Sequence, residues 1–288
     1  MSSDDFLKQL GHIVVGGYYD HQSVRTQMMN RIRDIIRKRN EGIPLNQVEA
    51  KKEKKKYDKK YSDKQLPKLI EEMRKNNKLS EDEYSYIRRI LDAVSKAHNY
   101  ELSYKSLMQQ YIKTEPLYTK WLSKIRGLGP VLSSDLLHII GYCDGKYPDG
   151  REKVPTISSL WHYCGLHVVN GKAPKREKGK KIDWNDDART LAWNIANSFI
   201  RKRTKPYRQV YDSEKKRQIS LMDSNAPNAP DSLGHAELRA RRKVAKIFLA
   251  HYWLVARQIK GLPITKPYAF DRLNHQHMIP IPFWDDNA

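Results

Sequence analysis

Cysteine is nearly absent: Cys143 and Cys164 are the only two in 288 residues. That excludes a disulfide framework and fits a reducing compartment. Long apolar runs are missing as well; none approaches the ~18 residues that a membrane-crossing helix needs, so no membrane partner is expected. The start, Met1-Ser2-Ser3-Asp4-Asp5, lacks the basic-then-apolar order of a secretion signal, and a cytoplasmic, nucleoid-associated chain is the expectation. No glycine-rich cradle is followed by Lys-Ser or Lys-Thr, which removes the usual nucleotide-phosphate loop. Strand signals are few: Ile13-Val14-Val15 and His167-Val168-Val169 are short and isolated. An all-α fold is expected.

Acidic residues are also outnumbered. Against 54 Lys and Arg stand 33 Asp and Glu, leaving a formal charge of +21. A field of one sign on that scale selects polyanions over small acidic substrates. Helical periodicity organises the first 112 residues. Val24, Met28, Ile32, Ile35 and Ile36 recur at helix spacing over 23–40, with arginines on the remaining surface and Gly42 and Pro44 as the stop. Residues 51–60 are Lys-rich with almost nothing to bury, either a solvated linker or exposed helix, or a nucleic-acid arm. Ser80 and Glu83 have the spacing of a capping box. Behind them Ile87, Ile90, Leu91, Val94, Leu102, Leu107 and Ile112 predict one long helix or two in tandem. The pattern fits a bundle or a dimerising coiled coil; the heptad is not sustained, which favours the bundle. A homodimer through these helices is one implied partner.

The chain divides into a basic helical region (1–112), a denser helical domain (113–260) and a Pro-rich tail (261–288) expected to lie as an extended strap using Tyr268, Phe270 and Trp284. In the middle domain, Asp183-Trp184-Asn185 opens a helix burying Ala188, Leu191, Ala192, Ile195, Ala196 and Phe199. A second runs from about Gly234 to Gly261 with Leu238, Val244, Ile247, Phe248, Trp253 and Leu254 inward. Residues 222–232 are a loop.

The stretch richest in chemistry runs from Trp121 to Gly141. A helix end is followed by Gly127-Leu128-Gly129, then Pro130 at a first helical position and a second apolar helix. This is the pattern of a helix–hairpin–helix. Two glycines let backbone approach a phosphate, Leu128 plugs the two limbs together, and the second helix's free amides and dipole favour the anion. Lys124 and Arg126 flank the turn. Such a corner positions on the backbone and does not read bases. Downstream, a short helix ending at Gly165 leads to a loop with six cations, Lys172, Lys175, Arg176, Lys178, Lys180 and Lys181. Arg239, Arg241 and Arg242 on the last helix, and Arg201, Lys202, Arg203 and Lys205, are further basic clusters. Tyr57, Tyr61, Tyr207 and Tyr211 lie among cations, as half-buried helix residues or as a stacking platform for single strands.

Taken in order, Ile125 to Gly141, then Ser159-Leu160-Trp161-His162-Tyr163-Cys164-Gly165-Leu166, the basic loop, the 188–199 helix and His235 to Lys246 resemble the C-terminal transposase domain of the DEDD-type insertion-sequence transposases, the group that includes the Piv/MooV DNA invertases. The likeness spans roughly residues 118–258. It implies binding of double-stranded DNA and an origin in a mobile element of an archaeon or virus. It also implies a RuvC-like nuclease domain with four acidic metal ligands and a serine nucleophile in the basic segment. This chain departs on both counts: about 115 basic, helical residues precede the hairpin, Asp20 is the lone echo of a catalytic Asp, and no Ser or Thr lies between Gly165 and Ala188. Without such groups no route to phosphodiester cleavage is evident. The expectation is therefore a non-catalytic DNA-binding protein. An active recombinase or nuclease using Asp20, Asp183, Asp186 and Asp187 is the alternative, and structured RNA the second. His138, Cys143, His162, Cys164 and His167 match no zinc-finger spacing, His275 and His277 have too few partners, and Asp186 and Asp187 read as first-turn residues. No metal or cofactor is expected.

Overall fold

The computed structural model describes residues 3–42, 59–146, 152–169, 171–224, 226–265 and 279–284. Most of the Lys-rich run, Tyr57, Tyr268, Phe270, His275 and His277 lie outside them. Nine α-helices and no strands occur among the described residues, so the fold is all-α. Ile13-Val14-Val15 belongs to a helix, α1 (Ser3–Glu41), and the backbone echo of a strand leading to Asp20 disappears with it. Val169 and Lys172 share an isolated bridge at the root of the basic loop.

Chain contacts separate two compact units. One comprises His12–Leu107; the other joins Met1–Gly11 to Met108–Ala288.

The His12–Leu107 unit contains most of α1, then α2 (Leu66–Lys75) and most of α3 (Glu81–Ile112). Its core joins Met29, Ile32 and Ile36 to Tyr61, Leu66, Ile70, Met73, Leu79 and Val94. The capping box forms: Glu83 N donates to Ser80 Oγ at 3.1 Å, and Ser80 N donates to Glu83 Oε2 at 2.8 Å. Two sequence expectations fail here. Val24 and Ile35, read as inward, are 47% and 61% exposed. Along α3, Ile90, Leu102 and Leu107 are exposed, while Val94, Ala97, Glu101 and Met108 are buried. The buried row contains a carboxylate, and that is why an apolar-only pattern misplaced it. Arg25 Nε donates to Glu101 Oε2 at 2.6 Å and Gln22 Nε2 to Glu101 Oε1 at 3.2 Å. Partners of this kind make burial of a charge tolerable. Tyr61 is also core rather than stacking surface, 1% exposed, with Asn40 donating to its hydroxyl.

The larger unit is built from α4 (Pro116–Lys120), a 3₁₀ turn (Leu122–Lys124), α5 (Pro130–Ile139), α6 (Ile157–Tyr163), α7 (Asp186–Lys202), α8 (Tyr207–Asp223) and α9 (Leu233–Ile259). Helix α9 is the axis, packing on α8, α7 and α6. It buries Val244, Phe248, Tyr252 and Trp253 against Ala188, Leu191, Ile195 and Phe199 of α7. Leu238 departs from the expected inward face and is exposed. Tyr207 and Tyr211 are core, Tyr207 stacked on Phe199 with ring centroids 4.4 Å apart. Arg257 is 1% exposed, yet satisfied by the Cys143 and Pro263 carbonyls and by Glu152 Oε2 at 2.9 Å. Residues 279–284 lie on this core: Trp121 Nε1 donates to the Pro282 carbonyl at 2.8 Å, and Trp284 Nε1 to Gln258 Oε1 at 2.6 Å.

Candidate nucleic-acid interface

The glycine corner is a tight turn between the 3₁₀ turn and α5. Gly127 has φ +99°, a region open to glycine and strained for other residues. Its carbonyl accepts from Ser198 Oγ at 2.7 Å, and the Arg126 carbonyl accepts from Thr204 Oγ1 at 2.6 Å. Leu128 is buried in the core, as a plug should be. Gly129 differs from Gly127. It is exposed, has an ordinary extended conformation as N-cap of α5, and nothing occupies the space around a Cβ there. Pro130 carries no N–H, and Ser133 N already bonds the Gly129 carbonyl at 3.1 Å. The first-turn amides left over are those of Val131 and Leu132, and no side chain caps them. The first limb is shorter than sequence suggested, a short helix plus a 3₁₀ turn rather than a continuous helix end.

Thr204 brings a cation cluster to this corner that sequence spacing alone could not assign. Arg201, Lys202, Arg203 and Lys205 are exposed, as are Lys124 and Arg126. None of these six forms an ion pair among the described residues. The link is the Thr204–Arg126 hydrogen bond, between positions 78 apart in sequence, and pattern reading has no access to such a pairing.

The basic loop is exposed throughout its lysines. Lys172, Lys175, Lys178 and Lys181 have no ion-pair partner among the described residues, whereas Arg176 pairs with Asp186 at 3.0 Å and Lys180 with Glu177 at 2.6 Å. The α9 arginines are held internally. Arg239 donates to the Asn228 carbonyl at 2.6 Å and to Gln218 Oε1 at 3.1 Å. Arg242 donates to the Leu166 and His167 carbonyls at 2.6 and 2.7 Å, and burial lowers its pKa. Arg241 lies over the Trp193 ring, 4.7 Å from its centroid. These three therefore brace the loop root and α8 more than they offer free charge. A cleft of about 500 Å³ opens between the loop, α7 and α9, where exposed Trp193 and Leu238 meet Lys175, Arg189, Arg239 and Arg242. Beside it, burial first and Arg242 second push Lys246 down to about 8, its ammonium 4.0 Å above the Trp161 ring.

Of the carboxylates considered for catalysis, Asp186 is engaged at the start of α7, where it also pairs with Arg176. Asn185 caps α7 by accepting from Ala188 N at 2.8 Å, and Asp186 accepts from Trp184 Nε1 at 2.8 Å. Asp183 faces His162 and His167, a grouping that spacing did not reveal. Searched against protein families, curated proteins and solved structures, the chain matches none.

Proposed function

We propose that the protein binds double-stranded DNA through its phosphate backbone, largely without sequence choice. One observation carries this: the uncapped amide end of α5 opens at an exposed glycine, near six exposed cations of two separate segments that form no ion pair among the described residues. A phosphate approaching Gly129 accepts from the Val131 and Leu132 amides, favoured by the helix dipole. Lys124, Arg126, Arg201, Lys202, Arg203 and Lys205 neutralise its neighbours along the strand. Lys172, Lys175, Lys178 and Lys181 extend the same chemistry along the loop. No base-edge reader is part of this reading, so affinity follows charge and groove shape. The motif order that resembles the transposase domains favours a mobile-element origin. Exposed apolar positions on α1, Ile13, Val24 and Ile35 among them, support a second copy as partner.

Gly129→Glu tests the site directly. The position has an ordinary φ and open space, so the side chain fits without disturbing the fold. It places a carboxylate where the phosphate belongs. Affinity for a duplex measured by fluorescence anisotropy falls by about tenfold or more, the ratio for a lost charged contact of about 1.4 kcal/mol. Circular dichroism stays unchanged. Unaltered affinity in a folded variant defeats the reading, and stronger retention of structured RNA than of duplex DNA redirects it to RNA.

A further inference from the structure

The geometry points to a divalent transition-metal site, of the kind zinc occupies, formed by His162, His167 and Asp183 at the neck of the basic loop. His162 Nε2 lies 3.2 Å from Asp183 Oδ2, and His167 Nε2 lies 3.9 Å from Asp183 Oδ1. All three donor groups have ligand atoms within 4.8 Å of one another. Ligands at ~2.1 Å from a tetrahedral ion stand about 3.4 Å apart, and the observed separations bracket that value. Small movements of the exposed His162 and Asp183 side chains about the half-buried His167 bring the set onto one centre. Two imidazoles and one carboxylate are a donor set that zinc accepts, with the fourth position left to water.

The backbone around these donors is fixed before any ion arrives. Gly165 N donates to the His162 carbonyl at 2.8 Å and Leu166 N to the Trp161 carbonyl at 2.7 Å, closing the end of α6. Arg242 holds the His167 carbonyl. Asn185 N donates to the Tyr163 carbonyl at 2.8 Å, and Asn185 Nδ2 to the Tyr163 hydroxyl at 3.1 Å, which keeps Asp183 beside α6. The two imidazoles already stack, centroids 4.1 Å apart. Asp183 supplies the negative charge that offsets Arg242. Between His167 and Asp183 runs the whole basic loop. An ion at its neck ties the two ends together and removes conformations from the segment that carries six cations. The site stands on its own geometry and does not depend on the DNA reading.

The test uses the full chain stripped with chelator, then titrated with Zn²⁺ by calorimetry and with Co²⁺ by visible absorption. One equivalent binds, and Co²⁺ develops the absorption of a low-symmetry site with nitrogen and oxygen donors. His162→Ala and Asp183→Asn each weaken Zn²⁺ binding by more than about tenfold, since even outer partners of a metal ligand contribute that much. Both donors are exposed, so both variants fold. A double variant at His275 and His277 keeps the affinity. Zn²⁺ also slows tryptic cleavage at Lys172 to Lys181 several-fold in the parent and leaves His162→Ala unprotected. Stoichiometric binding that survives both neck variants, or that is lost instead with His275 and His277, overturns the assignment. So does failure of the parent chain to bind either ion.

Discussion

At the residue scale, two glycines separate conformational strain from steric room. Gly165 follows α6 with φ +60°, and a Cβ there would meet Trp184 Cδ1 at 2.9 Å and Arg189 Cδ at 3.1 Å. Both neighbours are held, Trp184 by Asp186 and Arg189 by the Pro174 carbonyl. Gly165→Ala therefore combines a left-handed backbone penalty of ~1 kcal/mol with crowding of similar size, a loss of about 2 kcal/mol in urea unfolding. Gly129→Ala meets neither cost and stays within about 0.5 kcal/mol of the parent. Equal losses at the two positions would contradict this division of roles. Gly165 shapes the loop neck from inside, while the proposed phosphate site needs the open space outside Gly129.

At the scale of elements, α9 holds the segment 279–284 partly through a buried histidine. His251 is 5% exposed, its Nδ1 facing the Tyr207 hydroxyl at 3.0 Å and its Nε2 the Ile279 carbonyl at 3.0 Å. The carbonyl requires a donor, so Nε2 carries the proton and Nδ1 accepts from Tyr207. Burial pushes this imidazole down to about 4 against a partial rise from the Ile279 bond, while an unfolded chain titrates near ~6.5. Between those values the unfolded state binds a proton that the folded state refuses. Stability therefore falls as pH drops through that window and levels off below it, by at most about 3 kcal/mol. His251→Gln, which can donate to Ile279 without titrating, flattens that part of the stability profile; an unchanged slope would show that other groups set it. The sequence disclosed α9 itself, through Val244, Phe248 and Trp253, because apolar residues repeat at helix spacing. It disclosed the Gly127-Leu128-Gly129 turn and the opening of α7 near residues 183–185 from equally local signals. It could not disclose that Glu101 sits in a buried row, that Thr204 brings Arg201–Lys205 beside Arg126, or that Asp183 joins two histidines. Each of those depends on a contact between distant positions, and neither periodicity nor turn chemistry encodes one.

At the scale of the whole molecule, on the proposed DNA-binding reading the charge of +21 brings polyanions near, and the contacts made on arrival set how binding responds to salt. Many cations are already paired within the protein, as Lys96 is with Asp92 at 2.8 Å and Lys215 with Glu237 at 2.9 Å. Only cations that displace counterions from phosphates enter the salt dependence, each adding about −0.9 to the slope of log affinity against log salt. The six at the glycine corner give a slope on the order of −5, steepening if the loop lysines also engage. Replacing Lys124 and Arg126 with alanine makes the slope shallower by about 2 and weakens duplexes of unrelated sequence to the same extent. Lys96→Ala removes charge from the molecule without removing a proposed contact and leaves the slope where it was. An anisotropy titration between about 50 and 200 mM salt separates these outcomes. If Lys96→Ala and the Lys124/Arg126 pair shift the slope alike, per charge removed, then diffuse attraction governs binding and the corner has no special part in it.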